Sequence, residues 1–170
     1  MKIGIISDTH TKVKKTAYAI ETLVKEGAEL IVHAGDIVEL DILDLLKDCG
    51  LKYIAVYGNN DAHLGQHHSK YNLVQEPYYF KMQDTKFKLM HLPFYMTPDT
   101  DVVISGHTHT FHCEFENSTL FINPGEVCAR SKPTSEWMML NVSEEKFCVV
   151  RYTRDNKSEI TQKEEYIYDR

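Results

Sequence analysis

The sequence predicts an α/β fold, and three observations predict it. Apolar, β-branched runs alternate with amphipathic stretches as far as about Tyr71, short β-rich runs take over beyond it, and metal-ligand residue types follow several of the apolar runs. Ile3-Gly4-Ile5-Ile6 is the first strand. From about Lys12 to Glu26, Val13, Ala17, Ile20 and Val24 recur at three- and four-residue steps, giving an amphipathic helix that Gly27 closes. Leu30-Ile31-Val32 is the second strand. A second helix, from Glu39 to about Asp48, sets Leu40, Leu43 and Leu46 on one face before Gly50 stops it. Tyr53-Ile54-Ala55-Val56 follows as the third strand. Strand, helix, strand, helix, strand is the order of a parallel half-sheet.

The later runs are Tyr78 to Met82, Lys86 to Met90, Thr110 to Glu116, Thr119 to Ile122, Trp137 to Val142 and Lys146 to Tyr152. Asp84-Thr85, Asn117-Ser118 and Ser143-Glu144-Glu145 turn the chain between them. This half is expected to be largely antiparallel. From about 155 to 170 the chain is charged and poor in core residues, so a peripheral tail that frays or lies along a neighbour is expected. The 170 residues, 42% of them hydrophobic, have room for a single domain over 1–170 with one sizeable core.

Composition excludes some partners. A formal net charge of -6 argues against a protein built to hold long duplex nucleic acid, whose phosphates are bound chiefly by clustered Lys and Arg. No apolar run approaches the roughly 18 residues of a membrane span, and the short N-terminal strand is no targeting segment, so no membrane partner and a cytoplasmic location are expected. Cys49, Cys113, Cys128 and Cys148 lack C-x-x-C spacing and read as reduced core or surface thiols.

The chemistry is written as a series of short motifs. Asp8-Thr9-His10 follows the first strand, Gly35-Asp36 the second and Gly58-Asn59 the third, while His91 and Gly106-His107-Thr108-His109 come later, the last after Val102-Val103-Ile104. Residues two apart on an extended backbone point to one side, so Asp8 with His10, and His107 with His109, are expected to act as pairs. Loops beyond the carboxyl ends of strands form the ligand crevice of an α/β sheet, and glycine lets the backbone turn there. Asp8, His10, Asp36, Asn59, His91, His107 and His109 mix hard oxygens with imidazole, which suits manganese, iron, zinc or nickel better than calcium. Seven ligands exceed one tetrahedral ion. With one bridging carboxylate they suit two ions roughly 3.5 to 4 Å apart, the arrangement for in-line displacement at phosphorus.

On these motifs, in this order, and on Asn123-Pro124-Gly125, the chain resembles the calcineurin-like metallophosphoesterases, in particular the small YfcE-type bacterial and archaeal phosphodiesterases, from Met1 to about Tyr152. The resemblance implies a four-layer α/β/β/α sandwich of two mixed sheets flanked by helices. It implies that Asp8, His10, Asp36 and His109 hold one ion and that Asp36, Asn59, His91 and His107 hold the other. It further implies hydrolysis of a small or short phosphodiester by a water activated between the two ions, manganese first among the metals, with His107 or Asn59 hydrogen-bonded to the phosphate. Two positions depart from the family pattern. Asn60 stands where many relatives carry a histidine at the leaving group, and His91-Leu92-Pro93 stands for His-Gly-His.

Other readings stand beside these. Asp8 alone could cap the helix near Lys12. His33 reads as a satisfied histidine beneath the site, and His112, three residues past His109, as an ordinary strand residue. His63, His67 and His68 form a polar turn or, for His63, a replacement for the leaving-group histidine missing at Asn60, since imidazole titrates near neutrality. Asn60 and Arg130 are candidates for the substrate phosphate, Arg130 through its forked donors or else as a surface residue. The functional alternatives are a phosphomonoesterase or nuclease on the same site, and a non-catalytic retromer-like scaffold. A homodimer through the aromatic second half is also compatible with the sequence.

Overall fold

The structure is a computed structural model describing residues 1–170. The first helix, α1 (Val13–Lys25), and the second, α2 (Leu40–Asp48), fall within a residue of their expected bounds. Before, between and after them run β1 (Lys2–Ile6), β2 (Leu30–His33), β3 (Lys52–Val56) and a short β4 (Leu73–Val74), all parallel. Three long strands complete this sheet: β10 (Thr134–Val142), β11 (Lys146–Asp155) and β12 (Thr161–Asp169). Its order is β12-β11-β10-β1-β2-β3-β4, with β10 antiparallel to β1. The charged C-terminal stretch therefore lies along a neighbour as an edge strand, where its lysine and glutamates face water and discourage further strand pairing.

The second sheet holds β5 (Tyr78–Met82), β6 (Thr85–Leu89), β7 (Val102–Ile104), β8 (Phe111–Glu116) and β9 (Thr119–Pro124), in the order β5-β6-β7-β9-β8. The second half is largely antiparallel as expected, with β5–β6, β8–β9, β10–β11 and β11–β12 all antiparallel, and the centre of this sheet is the exception. β6, β7 and β9 run parallel at the centre, and only the outer pairs β5–β6 and β8–β9 are antiparallel hairpins. β7 is only three residues long and wholly buried, so it carries no alternation from which its direction could be inferred. Both sheets are mixed, as the resemblance implies.

Two apolar layers hold the sandwich. Ala19, Ile20 and Leu23 of α1 and Ile42, Leu43 and Leu46 of α2 pack on Ile31, Trp137, Met139 and Tyr152, so both α-helices cover the outer face of the first sheet. Its inner face sets Ile3, Ile5, Val32, Met138 and Leu140 against Phe87, Leu89, Val102, Ile104 and Ile122 of the second sheet. Ile3, Ile5 and Ile6 of β1 have no exposed surface because both faces of their strand are covered.

Register then fixes where function can sit. Ile6 of β1 is opposite His33 of β2, which is opposite Ala55 of β3, so these strands deliver residues 7–10, 34–36 and 58–59 to one end. In the other sheet Leu89, Ile104 and Ile122 are aligned across β6, β7 and β9, delivering His91, residues 106–109 and residues 125–128. The two ends are stitched together: Val127 and Cys128 donate backbone N–H groups to the carbonyls of Ser7 and Asp8, both at 3.1 Å.

Candidate metal centre

Five of the seven candidate ligands have a left-handed backbone: φ is 51° at Asp8, 46° at His10, 56° at Asp36, 67° at His107 and 58° at His109. Such conformations cost on the order of 1–3 kcal/mol each in residues with side chains and persist only where the surroundings hold them. The expectation of extended Asp8–His10 and His107–His109 pairs is therefore corrected: β1 ends at Ile6 and β7 at Ile104, and the ligands lie on the turning loops beyond. Backbone bonds fix those turns, since Asp8 N–H donates to Gly35 and His10 N–H to Asp36, both at 3.0 Å. Gly58 and Gly106 serve close approach. A Cβ on Gly58 would lie 2.1 Å from the Asp36 amide nitrogen, and one on Gly106 2.2 Å from Ser7 Oγ.

Asp36 lies between two histidines, with Oδ2 3.8 Å from His10 Nε2 and Oδ1 3.5 Å from His91 Nε2. Asn60 braces it, its backbone N–H donating to Oδ1 at 3.0 Å and its amide to Oδ2 at 2.7 Å. Burial opposes ionisation of Asp36, but these bonds and the nearby histidines outweigh it and hold the carboxyl below its ordinary range. Burial instead lifts the Asp8 carboxyl above that range, against a 2.6 Å bond from the Ser7 hydroxyl. Asp8 Oδ1 faces His109 Nε2 at 3.2 Å, and the rings of His109 and His10 stack at 5.5 Å. On the other side Asn59 Oδ1 lies 2.9 Å from His91 Nε2 and 3.1 Å from His107 Nδ1.

The ring protons of two of the histidines point away from the centre of the site. His91 Nδ1 is 2.8 Å from the Ala34 carbonyl, which only accepts, so the ring proton sits on Nδ1 and a bare lone pair points from Nε2 toward Asn59 Oδ1 and Asp36 Oδ1. His109 Nδ1 is likewise taken by the Glu126 carboxylate, leaving its Nε2 lone pair toward Asp8 Oδ1. Asp8 Oδ1 and His10 Nε2 are buried and have no hydrogen-bond partner. Buried acceptors aimed at one another are costly in a protein and are the geometry a cation satisfies. The donor set fits divalent metal ions.

The sequence of residues 1–145 matches the profile of the calcineurin-like phosphoesterase superfamily domain. The chain belongs to that superfamily. It is 33% identical over 141 residues to the phosphodiesterase MJ0936 of Methanocaldococcus jannaschii, a match covering 75% of this chain and 85% of that protein. A solved structure described as a novel archaeal phosphodiesterase superposes with a TM-score of 0.74 at 27% identity, covering 98% of this chain and all of that one. Vps29 of Entamoeba histolytica shares the fold, with a TM-score of 0.77 at 19% identity over 99% of both chains. Within the superfamily, this is the branch of small YfcE-type proteins expected from the sequence.

Against the superfamily pattern, the structure brings all seven candidate ligands to one end of the sandwich. His107 and His109 diverge, His107 toward Asn59 and His91, His109 toward Asp8 and His10. Asp8 caps no helix, for α1 begins after Lys12 without a side-chain cap. Asn60 spends its amide on Asp36, as given above. His63, at the start of a short 3-10 helix (Ala62–Lys70), donates from Nε2 to the Val38 carbonyl at 2.7 Å. Arg130 is exposed, and its charge adds to burial in depressing the His10 pKa. His112 is exposed on β8, beside Glu114 at 3.5 Å.

Two buried carboxylates escaped the sequence reading. Asp61 accepts N–H bonds from Ile37, Val38 and Gly58 at 2.8 to 3.1 Å and so ties the Asp36 loop to the Asn59 loop. Glu126 takes His109 Nδ1, and its neighbour Cys128 donates its thiol to the same carboxylate at 3.3 Å. Burial and Glu126 push that thiol up to about 12, which keeps it a neutral donor. The only signals were positional: Asp61 follows Gly58-Asn59-Asn60, and Glu126 follows Asn123-Pro124-Gly125.

Proposed function

We propose that this chain is a cytoplasmic, metal-dependent phosphodiesterase acting on a small or short phosphodiester. The observation that carries the reading is the pair of lone-pair clusters sharing Asp36: Asp8, His10 and His109 on one side, Asn59, His91 and His107 on the other. These residues would hold two divalent transition-metal ions, manganese first and iron, zinc or nickel as alternatives. When bound, such ions supply Lewis-acid polarisation of the phosphoryl oxygens and lower the pKa of a water to near neutrality. The relative from M. jannaschii, named a phosphodiesterase, supports the diester over a monoester. The commitment of nearby polar groups agrees with it, since the Asn60 amide is spent on Asp36 and the Lys132 ammonium on the His109 carbonyl.

The chain's own residues then have defined tasks. Asp36 is held by Asn60 with one oxygen toward each group. Asn59 and His107 border the place where a phosphate would lie, and Arg130 offers its fork from the rim. His63 is the proton carrier we assign to the leaving group, and to act it must release the Val38 carbonyl.

Metal content and turnover test this together. The purified protein should carry or take up two manganese ions and hydrolyse a bis-aryl phosphodiester faster than the aryl monoester. Asp36→Asn should lose bound metal and turnover at once. His63→Ala should slow alkyl esters, with their poor leaving groups, by about 100-fold while sparing activated aryl esters. Full activity of Asp36→Asn would refute the bridging role, and equal losses on both ester types would remove His63 from it. A chain that folds, binds no metal and turns over no ester would instead be a scaffold.

A further inference from the structure

We propose that Glu126 is the positioning residue that fixes His109 as a metal ligand and, through its other oxygen, holds the loop carrying Arg130 beside the same site. The inference rests on the metal-dependent reading above and names a residue on which one of its two ion sites depends. Glu126 has no exposed surface. Its Oε2 accepts from His109 Nδ1, and its Oε1 accepts the backbone N–H groups of Ser131 at 2.7 Å and Lys132 at 3.1 Å. Lys132 closes the circuit by donating its ammonium to the His109 carbonyl at 2.9 Å. The Cys128 thiol also donates to Oε2 at 3.3 Å, so both oxygens are engaged as acceptors.

The two oxygens have separate consequences. A neutral imidazole holds one proton, and which nitrogen keeps it is set by the partner of the other. With Nδ1–H given to Glu126, the Nε2 lone pair faces Asp8 Oδ1 and can ligate. Without Glu126 the proton is free to sit on Nε2, and that tautomer cannot ligate. Oε1 instead anchors the Arg130 loop, because Arg130 immediately precedes the two residues whose N–H groups it holds, and Ala129 before it turns at a φ of 54°. One carboxylate thus sets a metal ligand and the candidate phosphate-binding arginine relative to each other.

Glu126→Gln separates the roles, since an amide has one accepting oxygen and one donating nitrogen. If its oxygen keeps the Ser131 and Lys132 N–H groups, its nitrogen must donate to His109 Nδ1 and drive the ring proton to Nε2. Titration calorimetry with Mn²⁺ alone should show one of the two ions bound about 10- to 100-fold more weakly in Glu126→Gln, with the other unchanged. Nitrogen-15 NMR of the wild-type chain before manganese is added should show His109 protonated on Nδ1, a readout that needs no variant. Wild-type affinity for both ions in Glu126→Gln, or an Nε2-protonated His109 in the wild type, would overturn the proposal. Failure of the wild type to bind manganese would count against the metal-dependent reading, and the His109 tautomer would still decide the role of Glu126.

Discussion

His33 shows how one buried side chain underwrites two loops of the site. Its Nδ1 accepts the Gly35 N–H at 3.1 Å, so the proton lies on Nε2, which is 2.9 Å from the Thr9 hydroxyl. Both nitrogens are therefore spent on a neutral ring, and a second proton would collide with the Gly35 N–H. Complete burial, with His91 adding to it, pushes the His33 pKa from 6.5 down to about 3. As pH falls through 6.5 the unfolded chain binds a proton that the folded chain refuses until about 3, so stability is full above 6.5 and declines between these values. The slope is about 1.4 kcal/mol per pH unit for this group. Urea midpoints at pH 7 and pH 5 should show His33→Gln losing about 2 kcal/mol less than the wild type over that interval. An identical pH dependence in the two chains would exclude His33 as the acid-sensitive group.

At the scale of elements, the site depends on how loops are tied after their strands end. Asp61 is the knot between the loops after β2 and β3. Its carboxylate satisfies three backbone N–H groups and allows Val38, a β-branched residue, a φ of 67°. Asp61→Ala strands those donors, and unsatisfied buried groups cost about 1–3 kcal/mol apiece. For a chain of this size about 3 kcal/mol corresponds to a melting temperature lower by roughly 10 °C. Asp61→Asn, which keeps one accepting oxygen, should lose about half of that, and calorimetry on both variants checks the ordering. The same loops explain what was legible in advance. The convergence of the seven candidate ligands at one end could be anticipated because each motif follows an apolar run, so order along the chain stands in for position at the strand ends. α1 and α2 were legible from apolar spacing and their closing glycines, Gly27 and Gly50. Glu126 and Asp61 were not, because their partners are backbone N–H groups or a histidine far along the chain, which leave no mark on residue type. The left-handed ligand loops were hidden too, since sequence shows that a strand stops but not how the next residues turn. The parallel β6, β7 and β9 arise from crossovers, and short buried strands do not advertise direction.

At the scale of the molecule, the candidate ions would join the two sheets. Asp8, His10, Asp36 and Asn59 come from the first sheet, while His91, His107 and His109 come from the second. Each group of ligands draws on both. The apolar layer between the sheets holds them over most of their area, but at the site end, beside the backbone bonds, acceptors face acceptors and repel until a cation lies between them. Metal should therefore stabilise the fold as well as the chemistry. An ion present at 100 times its dissociation constant adds about 2.7 kcal/mol to a state that alone binds it. At roughly 2–4 °C per kcal/mol for a chain of this size, chelation should lower the melting temperature by about 5–10 °C. Hydrogen exchange should rise in residues 7–10, 34–36, 91 and 106–109 while β11 and β12 stay unchanged. Asp36→Asn, lacking the shared carboxylate, should show little response to chelator or to added manganese. A wild-type melting curve indifferent to both would mean that the two sheets are held at this end by direct bonds such as Val127 to Ser7, Cys128 to Asp8 and His91 to Ala34, with no structural part for the ions.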